Sequence, residues 1–283
     1  MRKILSQDAE DFLDLQAELE GSVGPFRWSL TPSTFELSSN EGHVWLAGLV
    51  PPAVCVQQMA QYLSDNELIR AGHFHFKRDR NQFIVCRAVL RMILGRYLQI
   101  EPKQIQFSYG PHGKPDLAKR LGDGELRFNL AHSHELAIYA FTRGRKIGVD
   151  IEYLRVISDI EQIASEFFSA NEIATLHALP ASQRQQAFFN CWTRKEAYIK
   201  AIGKGLSQPL DQFEVSLAST DPVNLLHVEG APNEVSRWSL NALTPAPGYV
   251  AALAVEGHNW RPTFWRFPQS TSEVHKSSQT SGI

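Results

Sequence analysis

The stretch CWTRKEAYIKAIGKG, residues 191–205, has the spacing of a helix that ends at a glycine, and it carries more charge than a helix end requires. At helical spacing one broad face combines an aromatic, an aliphatic and three ionisable side chains: Trp192, Ile199, Lys195, Glu196 and Lys200. Glu196 and Lys200 lie one turn apart, which by itself predicts an ion pair contributing about 0.3–0.5 kcal/mol. A carboxylate and lysines on a rigid helix also suit chemistry at a phosphate, where cations balance the charge that develops on oxygen. The spacing permits both interpretations.

The composition indicates a folded chain with nearly balanced charge. Its 283 residues are 43% hydrophobic and carry a formal net charge of −2, which suits one or two domains with a substantial core. Nucleic-acid-binding domains are usually strongly basic, so we expect no nucleic acid partner. The three cysteines, Cys55, Cys86 and Cys191, are widely spaced, which favours reduced thiols over a zinc site or a disulfide framework.

The ends of the chain differ in composition from its middle. Residues 8–20 predict a short acidic amphipathic helix, and residues 21–42 are rich in Ser, Thr, Pro and Gly, so residues 1–42 are predicted to be an extension and linker. Residues 268–283 are polar and predicted to be disordered. The sequence has no run near the ~20 apolar residues of a membrane span and no apolar signal segment at its start. We therefore expect a cytoplasmic protein without a membrane partner.

Helices and strands alternate in blocks along the middle of the chain. Strands are predicted from HVWLAGL (43–49), LRFNLAHS (126–133), LAIYAFT (136–142), IGVDIEYL (147–154) and three later segments. Helices are predicted within residues 63–98, over about 158–178 with a break near Ser169, and from about Ser182 to Ala201 before Gly203. Each of two similar halves thus joins a helical stretch to a small, mostly antiparallel sheet, which predicts an α+β fold.

Two carboxylates alternate along the predicted strand that contains GVDIEYL. Asp150 and Glu152 fall on one face, and Val149 and Ile151 fall on the other. Adjacent carboxylates repel each other unless a cation lies between them, and their hard oxygen atoms suit Mg²⁺ or Mn²⁺. The alternative is an acidic strand edge that faces solvent. Glu196 would supply a third carboxylate to the metal site.

Basic residues are concentrated between positions 70 and 91. The six are Arg70, Lys77, Arg78, Arg80, Arg87 and Arg91. Arg87 and Arg91 lie within the apolar run 83–98, where an unpaired guanidinium would be costly, so each needs an acidic partner or a bound phosphate. Lys114 is on a turn flanked by Gly and Pro, a common location for functional side chains. One histidine of the strand end AHSH (131–134) is a candidate hydrogen-bond donor to phosphate.

The motifs occur in a recognisable order. GKP (113–115) and FNLAHS (128–133) precede GVDIE (148–152), and WTRKEAYIKAIGKGL (192–206) follows about forty residues later. This order resembles the 4′-phosphopantetheinyl transferase superfamily, Sfp type, over roughly residues 43–267. The chain layout is also similar to that of the cyanobacterial branch.

The resemblance implies a monomer whose two halves, residues 43–145 and 146–267, are related by a pseudo-twofold and hold coenzyme A at their junction. Family members transfer the phosphopantetheine arm to a serine of an acyl or peptidyl carrier protein and release adenosine 3′,5′-bisphosphate. The serine nucleophile then belongs to the carrier, so this chain needs none of its own.

The resemblance also implies roles for individual residues. Asp150, Glu152 and Glu196 would bind Mg²⁺, and Lys200 would stabilise or protonate the leaving phosphate. The cofactor-binding set would be Arg70, Arg87, Lys114, His132 and Lys195. Glu196 is the preferred acceptor of the serine proton, ahead of a metal-bound water or Glu172.

Two departures from the family pattern affect nucleotide binding. Ala131 stands where some relatives have Ser, and Glu67 occupies a position that is basic in some relatives. Two alternatives use the same residues differently: a Mg²⁺-dependent phosphohydrolase or nuclease, and a coenzyme A binding module without catalysis.

Overall fold

A computed structural model of the chain describes residues 28, 29, 35–110, 113–118, 121, 124–219 and 221–268. The helix predicted over residues 8–20 and residues 269–283 of the predicted tail lie outside these residues.

The first half contains the following elements: β1 (Glu41–Gly48), α1 (Ala53–Ala60), α2 (Asp65–Gly72), α3 (Lys77–Leu98), β2 (Phe107–Tyr109), β3 (Pro115–Leu117), β4 (Leu126–Ser133) and β5 (Leu136–Arg143). The second half contains β6 (Ile147–Tyr153), α4 (Ile160–Phe167), α5 (Ala170–Ala178), α6 (Ala181–Ile202), β7 (Phe213–Val215), β8 (Leu225–Val228), β9 (Trp238–Leu243), β10 (Tyr249–Glu256) and β11 (Arg261–Arg266). Short 3₁₀ turns cover Pro102–Gln104, Gly205–Ser207, Leu210–Gln212 and Pro232–Arg237.

The two halves repeat one arrangement. β5 pairs antiparallel with both β1 and β4, and β10 pairs antiparallel with both β6 and β9. In each half a helix of 22 residues, α3 or α6, lies between the first strand and the hairpin that follows it. This repeat confirms the predicted α+β fold of two similar halves. The last strand, β11, returns to the first half and pairs parallel with β1, which the sequence did not predict.

The helix boundaries follow the local sequence signals. The predicted break near Ser169 is confirmed, because Ser169 and Glu172 form a capping box that starts α5. α6 ends at Gly203, whose φ of 77° lies in the left-handed region that glycine tolerates best. Within the described part of the chain, no helix combines the length and the apolar character needed to cross a membrane.

Each half has its own core, and a third cluster joins them. α3 is buried from Ile84 to Gly95, as its apolar run predicts, and α6 covers the second sheet. Alternation along β1 directs Trp45 into the first core and Val44 into the third cluster, which also contains Leu253 of β10. The sheets therefore face each other across shared apolar packing, which fixes how the two halves meet.

Candidate active site

A cleft of about 870 Å³ lies where the two halves meet. It is lined by eight of the ionisable residues that the sequence singled out: Arg70, Arg87, Lys114, His132, Asp150, Glu152, Glu196 and Lys200. The acids come from β6 and α6 of the second half, whereas the arginines and His132 come from the first half. The fold thus brings together groups that are up to 130 residues apart in sequence, between Arg70 and Lys200.

The alternation predicted for β6 is present. Val149 and Ile151 are fully buried in the third apolar cluster, while Asp150 and Glu152 line the cleft. The apolar face thus anchors the strand and the opposite face presents two carboxylates. Asp150 is itself buried, so its carboxylate is not on a solvated strand edge.

The third carboxylate reaches this pair because β6 and α6 touch through their backbones. A Cβ atom at Gly148 would lie 2.0 Å from the carbonyl oxygen of Ala197 and 2.4 Å from the backbone nitrogen of Ala201. Only glycine allows two backbones to approach this closely. Glu196, next to Ala197 on the helix, is therefore held beside the carboxylates of β6.

Lys200 lies among the three carboxylates. Its Nζ donates a hydrogen bond of 2.5 Å to Oδ1 of Asp150. The ion pair with Glu196 that helical spacing predicted is thus replaced by this contact across to the strand. Burial disfavours the charged ammonium, but Asp150, Glu196 and Glu152 outweigh it and raise the pKa of Lys200.

The same crowding raises the pKa of the acids. Burial and the charge of Asp150 raise the pKa of Glu152. Burial also raises the pKa of Glu196, where repulsion from Asp150 and Glu152 adds to the effect and Lys200 opposes it. Burial raises the pKa of Asp150 even with Lys200 in contact. Three carboxylates and one ammonium leave an excess of negative charge that a further cation would neutralise.

The donor set fits a hard divalent cation. Oδ2 of Asp150 is buried and, within the described structure, has no hydrogen-bond partner, which is rare for a carboxylate oxygen unless an ion or water completes it. Oxygen ligands from carboxylates suit Mg²⁺. Among the residues described, no three acidic, histidine or cysteine side chains are already arranged around a common point. Binding an ion would therefore require some of these side chains to change rotamer.

The first half contributes cationic side chains to the cleft. Nζ of Lys114 donates to the carbonyl oxygen of Lys200 at 2.5 Å, which ties the turn of the first half to the end of α6. Burial lowers the pKa of Lys114 to about 8, and the nearby cations Lys200, Arg127 and Lys146 contribute. Burial of the imidazole ring, together with the charge of Lys200, lowers the pKa of His132. A neutral His132 can donate one hydrogen bond to a phosphate oxygen.

The two arginines of the apolar run have an acidic partner, as their environment required. Glu67 of α2 accepts from Nε of Arg87 at 2.7 Å and from Nε of Arg91 at 2.6 Å. Burial alone would raise the pKa of Glu67, but the two guanidinium groups and the capping N–H of Ser64 lower it. Arg87 therefore lines the cleft with its charge already paired to Glu67. Arg70 also lines the cleft, and its exposed guanidinium lies over the ring of Phe83.

Comparisons with known proteins place this arrangement in a family. The model of the 4′-phosphopantetheinyl transferase superfamily matches residues 146–254, and that of the 4′-phosphopantetheinyl transferase N-terminal region matches residues 51–143. The 4′-phosphopantetheinyl transferase HetI of Nostoc sp. is 43% identical over 240 residues, which cover 85% of this chain and 98% of HetI. The chain belongs to the 4′-phosphopantetheinyl transferase superfamily. This confirms the family that the order of the motifs indicated, including the similarity to a cyanobacterial member.

Two further matches are more distant. The transferase Sfp of Bacillus subtilis is 31% identical over 197 residues, covering 70% of this chain and 84% of Sfp. The solved structure of Thermotoga maritima holo-acyl-carrier-protein synthase is 21% identical and covers 40% of this chain and 62% of its own, with a TM-score of 0.30.

Lys195 was predicted to be a site residue, but it does not line the cleft. Its side chain is fully buried in the core of the second half, and Nζ pairs with Glu172 at 2.7 Å. It also donates to the carbonyl oxygens of Leu210 and Phe213. All three ammonium hydrogens are thereby occupied, so its position gives no support to a cofactor-binding role. Glu172 is equally engaged and is removed as a candidate proton acceptor in the cleft.

Sequence reasoning about the transferase missed two polar residues of β4. Asn129 is buried and lines the cleft, and Ser133 contacts Glu152. Their signal was a pair of uncharged polar side chains, four residues apart, in a short strand. Such a signal gains meaning only when the neighbouring strand is known.

Proposed function

We propose that this transferase moves the 4′-phosphopantetheine arm of coenzyme A to a serine of an apo acyl or peptidyl carrier protein, in a Mg²⁺-dependent reaction that releases adenosine 3′,5′-bisphosphate. The observation that supports this most is the cleft that gathers three carboxylates and Lys200 from the second half with Lys114, His132 and Arg70 from the first. A nucleotide carrying a pyrophosphate and a further phosphate needs both a cation site and several separate positive groups.

Asp150, Glu152 and Glu196 would hold the Mg²⁺. When bound, the ion would neutralise the pyrophosphate and the charge that develops on the leaving phosphate. The orphaned Oδ2 of Asp150 and the raised pKa of each acid support this assignment, because a cation would relieve both.

The chain's own residues would orient the reactants and manage the protons. In the reaction the carrier serine Oγ bonds to the β-phosphorus of coenzyme A, and the bond from that phosphorus to the bridging oxygen breaks. The electron pair leaves with adenosine 3′,5′-bisphosphate. Glu196 would accept the serine proton, since it lies in the cleft between the other two carboxylates and Lys200. Lys200 would face the departing phosphate as the neighbouring ammonium group.

The nucleotide end of coenzyme A would lie against the first half. Lys114, His132 and Arg70 would contact its phosphates, and Arg87 would add positive charge while keeping its bond to Glu67. The halves at residues 43–145 and 146–267 would act as one monomer, with the substrate bound across their junction.

A carrier panel tests the proposal. The protein is incubated with coenzyme A, Mg²⁺ and several apo acyl and peptidyl carriers, and each carrier is weighed by mass spectrometry. We expect the mass of one phosphopantetheine group to be gained by at least one carrier, and no gain in the same carrier with its target serine replaced by Ala. No gain on any carrier, or cleavage of nucleotides without a carrier, would contradict the proposal.

A further inference from the structure

The two sheets meet at β4 and β6, which are edge strands of their respective sheets. Although these strands lie side by side, no backbone ladder joins them in the part of the chain that the structure describes. β6 is paired with β10 on one side only, so the N–H groups on its other edge need acceptors.

Two side chains of β4 supply these acceptors. Oδ1 of Asn129 accepts a hydrogen bond of 2.8 Å from the backbone N–H of Val149. Oγ of Ser133 accepts one of 3.1 Å from the backbone N–H of Tyr153. In both cases the partners are 20 residues apart in sequence, so the two strands run parallel in one fixed register.

This register brackets the carboxylate pair. Val149 immediately precedes Asp150, and Tyr153 immediately follows Glu152, so β6 is held on both sides of its two acids. Ser133 also donates a hydrogen bond of 2.9 Å to Oε2 of Glu152. One hydroxyl thus binds both the backbone of β6 and one of its carboxylates.

We propose that Asn129 and Ser133 are positioning residues, which hold the carboxylate strand of the second half in register with the phosphate-binding wall of the first. Ser133 additionally holds the carboxylate of Glu152 on the cleft side of β6, near that of Asp150. The inference rests on the proposed function for the identity of the ion that these acids hold. Side chains that orient metal ligands typically change metal affinity by about 10- to 100-fold when they are removed.

The test compares Ser133→Ala and Asn129→Ala with the conservative Ser133→Thr, which keeps a hydroxyl in a strand position that β-branched residues tolerate. Ser239→Ala on β9 is the matched control. It also removes a strand hydroxyl with several hydrogen bonds, but away from the β4–β6 junction. Two readouts are independent of turnover: residue-specific amide hydrogen exchange, and the Mg²⁺ dissociation constant measured calorimetrically with saturating coenzyme A and no carrier.

We expect Ser133→Ala to speed exchange at the Tyr153 amide about tenfold and to weaken Mg²⁺ binding by about 10- to 100-fold. Asn129→Ala should speed exchange at the Val149 amide, whereas Ser133→Thr and Ser239→Ala should leave Mg²⁺ binding as in the wild type. Unchanged exchange at both amides would overturn the proposal. So would faster exchange with unchanged Mg²⁺ affinity, because the residues would then be structural only.

The outcome is separable from that of the carrier panel. If the protein transfers phosphopantetheine and Ser133→Ala leaves its Mg²⁺ affinity unchanged, only this inference is overturned. A protein that transfers nothing, yet binds Mg²⁺ in a manner that depends on Ser133, overturns the proposed function and supports the positioning role.

Discussion

Lys200 is a residue whose role changes with its surroundings. Helical spacing alone predicts that Lys200 forms a weak ion pair with Glu196. In the fold its ammonium group instead bonds to Asp150 and lies near three carboxylates. A single lysine cannot balance these acids: burial raises the pKa of all three, and repulsion from neighbouring carboxylates adds to the effect at Glu152 and Glu196. Sites that keep such repulsion usually sacrifice stability for function.

Glu152→Gln should therefore stabilise the metal-free fold while impairing the reaction. Glutamine keeps an acceptor for Ser133 and removes a charge that burial and Asp150 disfavour. The folded-state pKa of Glu152 lies above its ordinary value of 4.5, so the penalty appears as the pH rises through the folded-state value and is absent well below 4.5. At pH 7 with EDTA we expect urea denaturation to show a gain of about 1 kcal/mol, with transfer reduced by about 100-fold. Glu135→Gln, at an exposed ion pair with Arg78, is the control, and a loss of stability in Glu152→Gln alone would contradict the argument.

Lys114 should give coenzyme A binding a pH dependence. Because burial lowers its pKa to about 8 in the free protein, the ammonium loses its proton as the pH rises through that value, and a phosphate would then meet a neutral amine. We expect the dissociation constant of coenzyme A to increase by up to about tenfold per pH unit above pH 8. Titration calorimetry at pH 7, 8 and 9 measures this. Lys114→Met should bind weakly with a flat profile, whereas Lys103→Met, an exposed lysine, should keep the wild-type profile; equal slopes in both variants would exclude Lys114.

At the scale of one element, α6 serves two surfaces. Consecutive residues on a helix point about 100° apart, so Lys195 turns into the core and pairs with Glu172 while Glu196 turns into the cleft. The sequence predicted the existence, length and end of this helix. The sequence could not show that Lys195 and Glu196 face different surroundings, because Glu172, the partner of Lys195, lies on another helix.

Gly148→Ala should separate α6 from β6. The new methyl group would lie 2.0 Å from a backbone oxygen that no side-chain rotation can move. We expect the free energy of unfolding to fall by about 3 kcal/mol, and transfer to fall further than the loss of folded protein explains, because Glu196 moves away from β6. Chemical denaturation and transfer rates check both effects. Gly72→Ala, with open space around its Cβ position, should be neutral, and a fully active, stable Gly148→Ala protein would refute the contact.

At the scale of the whole molecule, local signals predicted two similar halves, each with a helical stretch and a small, mostly antiparallel sheet. They also predicted that Arg87 and Arg91 need an anion. They did not predict that Glu67 supplies it, that β11 returns to pair with β1, or that Asn129 and Ser133 connect the halves. Each of these depends on which segments become neighbours, and periodicity within one segment carries no information about that.

The shared apolar cluster predicts that the halves unfold together. Leu253 of β10 is fully buried in that cluster beside residues of both sheets, and β11 further ties the second half to β1. Leu253→Ala should lower the free energy of unfolding by about 2–5 kcal/mol and shift a single calorimetric transition to lower temperature. Leu226→Ala, at a side chain that is 53% exposed, should leave that transition nearly unchanged. If the halves were independent, the calorimetric trace of Leu253→Ala would instead split into two transitions, and the cleft between them would not be a fixed feature of the fold.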